Sequence, residues 1–100
     1  MIILKLLRPE EWANFQKSGR FAGSADDLRD GYIHLSTPEQ APATAAKWFA
    51  DVDGLVAISF DTETLGEALR WEESRGGQKF PHYYSILKLE DVTASELFKP

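Results

Sequence analysis

The sequence contains no cysteine, which excludes disulfides, thiolate metal sites and cysteine nucleophiles. It also lacks an apolar run long enough to span a membrane. The apolar start, Met1 to Leu7, is too short for a signal peptide and is followed by no cleavage-site pattern. We therefore expect a cytoplasmic protein that does not associate with membranes.

Basic residues are few and scattered. The 11 Lys and Arg side chains form no run, and the formal net charge is -5. Because long nucleic acids are bound through clustered Lys and Arg, this distribution argues against such a partner. One or two arginines with backbone amides can still hold a small anion, so the composition is compatible with a nucleotide. The sequence identifies no protein partner.

Length and residue patterning predict one α+β domain that covers residues 1–100. Helices are expected from Pro9 to about Gly19 and from Pro42 to about Ala50, the second with Trp48 on its buried side. The predicted strands outnumber the helices and cover residues 2–7, 32–36, 55–60, 69–72, 83–89 and 93–98.

The segment Asp30–Thr37 carries the strongest functional signal. Side chains of a strand alternate between its two faces. Two branched aliphatic residues would therefore face a core, while Tyr32, His34 and Ser36 would line a pocket. An imidazole and a hydroxyl two residues apart can hold a ribose diol or a phosphate oxygen. The alternative is a hydrogen-bonded histidine without any ligand.

Two later segments contain further candidates. Arg70 and Glu72 would share one face of a strand, where they would either position a phosphate or form a surface ion pair. In the other segment, His82 and Tyr84 would share a face. Tyr84, or Tyr83 if the register slips, could stack on a planar ring, and ordinary aromatic packing is the alternative for either residue. Both histidines of the chain thus lie where a loop meets a strand.

Three carboxylates, Asp26, Asp27 and Asp30, precede the first histidine. They lack the spacing of an EF-hand loop and provide too few cation ligands in order. We expect these side chains to be solvated, with Asp30 serving the turn, and we expect no metal site.

Three segments together resemble a known family. They read DGYIHLSTPEQ at 30–40, LRWE at 69–72 and FPHY at 80–83. In this order they are similar to the signature of the bacterial family called domain of unknown function 952. The stretch from Ile3 to Trp12 and the strand from Leu55 to Asp61 also match its layout, so the resemblance covers nearly the whole chain.

Membership in this family implies a fold related to the ADP-ribosyltransferases. Such a fold has a small split, mostly antiparallel sheet around an NAD-binding cleft, here with one or two packed helices. A histidine followed two residues later by Ser or Thr is one form of the first motif of that superfamily. The resemblance implies that His34, Ser36 and the adjacent Thr37 contact the ribose of an NAD-like ligand. It also implies that Tyr83 or Tyr84 stacks on nicotinamide.

The resemblance further implies a glutamate that holds the ribose 2′-hydroxyl and assists transfer. Glu72 and Glu90 are the available candidates, although neither stands in a recognisable form of that motif.

Three functions remain open from the sequence. The first is an enzyme that breaks the nicotinamide–ribose bond of NAD, its substrate, with His34 as orienting group and Glu72 or His82 as charged partner. The second is a non-catalytic module that binds NAD, ADP-ribose or a related nucleotide in the same pocket. The third is a phosphoesterase in which two His-x-Ser/Thr units act as acid and base. The second histidine here lacks the Ser or Thr of such a unit.

Overall fold

The structure is a computed structural model that describes residues 1–99, apart from the side chain of Arg75. The helices are α1 (Pro9–Ser18), α2 (Ala25–Asp30), α3 (Ala41–Trp48) and α4 (Thr62–Leu65). The strands are β1 (Ile2–Leu7), β2 (Arg20–Phe21), β3 (Ile33–His34), β4 (Val56–Asp61), β5 (Leu69–Glu73), β6 (Lys79–Tyr83), β7 (Leu87–Lys88) and β8 (Ala94–Leu97). Within this part of the chain, no helix has the length and apolar character needed to cross a membrane.

The strands form antiparallel sheets. One sheet has the order β1-β4-β8, a second has the order β3-β6-β5, and β2 pairs with β7. A single bridge joins the two larger sheets, because the amides of Leu4 and Ser36 donate to each other's carbonyl oxygens at 2.7 and 2.9 Å. The prediction of a small α+β protein with mostly antiparallel strands and few helices is confirmed.

Most predicted elements are present, and the local signals explain them. Helix α1 starts at Pro9 and ends before Gly19, whose φ of 79° is a conformation that glycine adopts without strain. Helix α3 carries Pro42 in its first turn, where no intrahelical N–H is needed. The expectation that Trp48 is buried is wrong, since 54% of this residue is exposed.

The predicted strand 83–89 is also wrong in its bounds. Strand β6 instead covers residues 79–83, with Pro81 inside it, and β7 begins at Leu87. Proline is normally excluded from a central strand because it has no N–H to donate. Here the carbonyl oxygen of Pro81 accepts from the amide of Leu35, one residue beyond the end of β3. The missing N–H of Pro81 therefore lies opposite Leu35, where β3 has already ended.

One face of β3 packs into the hydrophobic core, and the side chain on its other face lies outside it. Strand β4 lies between β1 and β8 and is buried over nearly its whole length. On β3, the core takes Ile33 and, just beyond the strand, Leu35. The alternation of a strand then turns His34 toward the opposite face. Several elements contribute fully buried side chains, among them Ile3 on β1, Phe15 on α1, Ile33 on β3 and Ile58 on β4.

A buried ion pair links β1 to α2. The Lys5 ammonium lies 2.9 Å from Oδ2 of Asp27, and both residues are at most 5% exposed. Burial raises the pKa of the Asp27 carboxyl, but the His34 hydrogen bond, the Lys5 charge and backbone amides outweigh it and hold the pKa well below its usual value. The expectation that Asp27 is solvated is therefore wrong. Its partner lies 22 residues away in the sequence.

We predict that Asp27→Asn lowers the free energy of unfolding by about 3–5 kcal/mol, because it leaves the Lys5 ammonium buried without a countercharge. Chemical denaturation measures this loss. Asp26→Asn is the matched control, since Asp26 forms an exposed ion pair with Arg29 and its loss should cost less than about 1 kcal/mol.

The pH dependence of this loss follows from the lowered pKa. The stabilisation by the Asp27 carboxylate is fully present above its unfolded pKa of about 3.8 and declines as the pH falls toward the folded value. The difference in the free energy of unfolding between wild type and Asp27→Asn should therefore become smaller below about pH 4. Equal losses for Asp26→Asn and Asp27→Asn at neutral pH would contradict this interpretation of the ion pair.

Candidate functional site

Three polar side chains lie in a row across the second sheet. The strand register places His34 opposite His82, and His82 opposite Arg70. The two imidazole centroids are 5.7 Å apart with an interplanar angle of 72°. The His34 side chain is 37% exposed and the His82 side chain 4%. The neighbouring register position pairs Ile33 with core-facing Tyr83, so the row faces away from the core.

Carboxylates hold both imidazole rings in place. Nδ1 of His34 lies 2.6 Å from Asp27 Oδ1, and Nε2 of the same ring lies 2.9 Å from Asp30 Oδ2. Nδ1 of His82 lies 2.8 Å from Glu72 Oε1. The hydrogen bond described for the His82 ring within residues 1–99 is made by Nδ1, which leaves Nε2 for a ligand. No group of three or more acidic or histidine side chains in the same range could hold a metal ion.

Two tyrosines complete the polar face. The ring of Tyr32 lies 4.8 Å from the His34 ring, 4.1 Å from the His82 ring and 5.3 Å from the Tyr84 ring, measured between centroids. The Tyr84 hydroxyl donates to Glu72 Oε1 at 2.7 Å. Hydrogen bonds from Tyr84 and His82 lower the pKa of Glu72, which is therefore ionised at neutral pH.

The Glu72 carboxylate in turn raises the pKa of the Tyr84 phenol, chiefly by accepting its hydrogen bond. The Arg70 guanidinium lies over the Tyr84 ring, 5.1 Å from its centroid. This part of the face thus combines a cation, an anion and an exposed aromatic ring.

A cavity of about 180 Å³ opens beside the histidines, bounded by α2 and α3. Both imidazoles line it, together with Ser36, whose hydroxyl lies 3.2 Å from that of Thr44. Its apolar wall includes the aromatic side chains of Trp48, Phe49 and Phe80. The cavity therefore offers hydroxyl and imidazole groups on one part of its wall and flat apolar surface on another.

The residues predicted from the sequence fall into three groups. His34, Ser36 and His82 line the cavity. Glu72, Arg70 and Tyr84 lie on the same face of the sheet, next to His82 but outside the cavity wall. Thr37 and Tyr83 lie elsewhere. The Thr37 hydroxyl accepts from the amide of Gln40 and closes a turn, and Tyr83 is buried in the core.

Sequence reasoning missed Lys5 and Asp27. Both line the cavity and hold His34 in place, Asp27 through Nδ1 of the His34 ring and Lys5 through the His34 backbone carbonyl oxygen. One signal could have found them: Lys5 is a charged residue within an otherwise apolar strand. A buried lysine requires a countercharge, and an aspartate is the natural partner to search for.

The comparison with known proteins identifies the family. The family described as protein of unknown function (DUF952) matches residues 6–95. The crystal structure of protein CC0527 from Caulobacter crescentus is 49% identical with a TM-score of 0.93, covering 97% of this chain and 85% of that chain. Its solution NMR structure is 50% identical with a TM-score of 0.83, covering 95% and 82%. No curated protein matches. The chain belongs to the DUF952 family, as its three sequence motifs predict.

Proposed function

We propose that the cleft binds an NAD- or ADP-ribose-type nucleotide and that the protein breaks the nicotinamide–ribose bond of NAD. The observation that carries this proposal is the pairing of His34 and His82 across β3 and β6. Ser36 shares their cavity, and an ionised Glu72 is hydrogen-bonded to His82. Orienting groups and a carboxylate are what this reaction needs.

The cavity has the size and chemistry for the ribose. Its volume of about 180 Å³ is below the roughly 300–1,000 Å³ of pockets that enclose a whole small-molecule ligand. It therefore suits a sugar with an attached group, while the rest of a dinucleotide lies outside. The Ser36 hydroxyl and Nε2 of His82 match the donors and acceptors of a ribose diol, and His34 joins them where a ribose hydroxyl replaces Asp30 at its Nε2.

Arg70 is the best placed cation for a phosphate. The Lys5 ammonium is already neutralised by Asp27, and the Arg29 guanidinium contacts both Asp26 and Asp30. Arg70 is exposed, lies next to His82 in the sheet and has its guanidinium over the Tyr84 ring. A guanidinium in this position can form charge-assisted hydrogen bonds with phosphate oxygens.

Glu72 would stabilise the transition state through the ring of His82, which lines the cavity and is hydrogen-bonded to the Glu72 carboxylate. When the bond between C1′ and nicotinamide breaks, the nicotinamide leaves neutral with the electron pair and the ribose gains positive charge. A fixed carboxylate stabilises that charge without further reorganisation. In hydrolysis, the water oxygen bonds to C1′ and its proton passes to a base. Nε2 of His82 is the available nitrogen for that proton.

The fold supports the same inference. We infer that the two three-stranded sheets, joined through the bridge between Leu4 and Ser36, form the split sheet of the ADP-ribosyltransferase type. The first motif then lies where the two sheets meet. We also infer a cytoplasmic location for the reaction.

One observation favours a second candidate, a phosphoesterase. The imidazoles lie opposite each other with centroids 5.7 Å apart, and each has a carboxylate at Nδ1. A phosphate placed between them, with Asp30 displaced from Nε2 of His34, would contact a potential acid and a potential base. The proposal ranks second because Tyr84, rather than Ser or Thr, stands two residues after His82, and because the Tyr84 hydroxyl is bonded to Glu72. A non-catalytic nucleotide-binding module needs the same pocket and differs from the enzyme only in turnover.

We predict that Glu72→Gln reduces nicotinamide release from NAD by about a hundredfold or more, while ADP-ribose affinity changes by only a few fold. The amide keeps the shape of the side chain but removes its charge. Released nicotinamide is measured by chromatography and affinity by calorimetry. Glu73→Gln is the matched control, because Glu73 is the exposed next residue of β5 and points to the other face.

Three outcomes distinguish the candidates. Binding of ADP-ribose without nicotinamide release from NAD supports the binding module. Hydrolysis of a 2′,3′-cyclic phosphate without any effect on NAD supports the phosphoesterase. No binding of any adenine nucleotide contradicts the proposed function as a whole.

We also predict that Arg70→Ala weakens ADP-ribose binding by roughly tenfold or more, since a hydrogen bond to a charged group contributes about 1.5–3 kcal/mol. The affinity for adenosine, which has no phosphate, should fall much less in this variant. Calorimetric titrations of both ligands provide the comparison, and Arg20→Ala removes an exposed arginine on β2 as the control. Equal losses for adenosine and ADP-ribose would reject a phosphate-binding role for Arg70.

A further inference from the structure

The cavity wall contains aromatic side chains that the proposed function does not use, and Trp48 is the exposed one among them. Trp48 is the last residue of α3, and it lines the cavity while 54% of it is exposed. A tryptophan buries a large apolar area when it is covered, so one left open beside a cavity is a candidate ligand contact.

The size of the cavity shows which part of the ligand lacks a partner. About 180 Å³ accommodates a ribose with an attached group, and the remainder of an NAD- or ADP-ribose-type ligand must extend past the cavity wall. The histidines on β3 and β6 belong to the sheet, whereas Trp48 belongs to the helix that bounds the cavity. A ligand whose ribose lies at the histidines can therefore reach Trp48 with a more distant group.

The surroundings of Trp48 have the chemistry of a nucleotide contact. The Lys47 ammonium lies 5.2 Å from the centroid of the indole ring. Phe49 follows in the sequence, and the Arg8 guanidinium lies 5.0 Å from its ring centroid. Flat aromatic rings with adjacent cations are the combination that proteins use to bind bases and the phosphates attached to them.

We propose that the indole of Trp48 stacks on the adenine ring of the bound nucleotide. This inference rests on the proposed function, because it assigns the adenylate half of the same ligand. It commits to a purine ring as the occupant and makes Trp48 a determinant of specificity between adenine-containing ligands and smaller ones.

The test compares two ligands and three variants by calorimetry. ADP-ribose contains adenine, and nicotinamide mononucleotide does not. Trp48→Ala should weaken ADP-ribose binding roughly 5- to 150-fold, the range found for base–aromatic stacking. It should change nicotinamide mononucleotide binding less than about twofold. Trp48→Phe, which keeps a flat ring, should lose less affinity for ADP-ribose than Trp48→Ala.

Trp71→Ala is the matched control. Trp71 is 39% exposed, but it lies on β5 opposite Pro81 of β6 and does not line the cavity. Its removal should leave the affinity for both ligands unchanged. Circular dichroism and thermal melts establish that each variant is folded before its affinity is measured.

Each outcome supports or overturns the assignment. Selective loss of ADP-ribose binding in Trp48→Ala, with Trp71→Ala unaffected, supports it. Unchanged ADP-ribose binding, or an equal loss for both ligands, overturns the role of Trp48 while the proposed function stands, because wild type still binds. If wild type binds neither ligand, the proposed function fails and the assignment of Trp48 fails with it.

Discussion

The carboxylate of Asp27 is the group on which the arrangement of the site depends. It lies on α2, almost fully buried, and contacts the Lys5 ammonium, the backbone amide of Ser24, and both the backbone amide and the ring of His34. One side chain thus ties β1, α2 and β3 together. A charge at this depth persists only if it is paired and hydrogen-bonded. The position of the His34 ring is therefore set by the same contacts that stabilise the fold.

A different and more exposed carboxylate holds the second histidine, His82. The Glu72 carboxylate accepts from His82 and from Tyr84, and its side chain is 39% exposed. One half of the site consequently has a buried acid beside a partly exposed imidazole, whereas the other half has an exposed acid beside a buried imidazole. Tyr32 packs against both rings and connects the two halves. Such a division suits a site in which one group orients a ligand and another acts on it.

The sequence predicted what local signals determine and missed what depends on distant contacts. Alternation correctly separates Ile33 from His34, and Pro9 and Gly19 mark α1 at both ends. The strand containing Pro81 was misplaced, because proline is tolerated there only where β3 has already ended. Burial of Asp27 could not be read from its neighbours, since Lys5 supplies the countercharge from another element. Residues at the polar face were identified as candidates, but the pairing of His34 with His82 is a property of the sheet register.

The central claim is that both histidines belong to one nucleotide site. Because the chain contains two histidines, nitrogen-15 NMR of the imidazole rings gives one set of signals for each and observes the site directly. Titration with ADP-ribose should shift the ring signals of both residues together, along one saturable binding curve. Ring signals that remain unchanged at saturating ADP-ribose, or that respond for one histidine alone, would contradict the account.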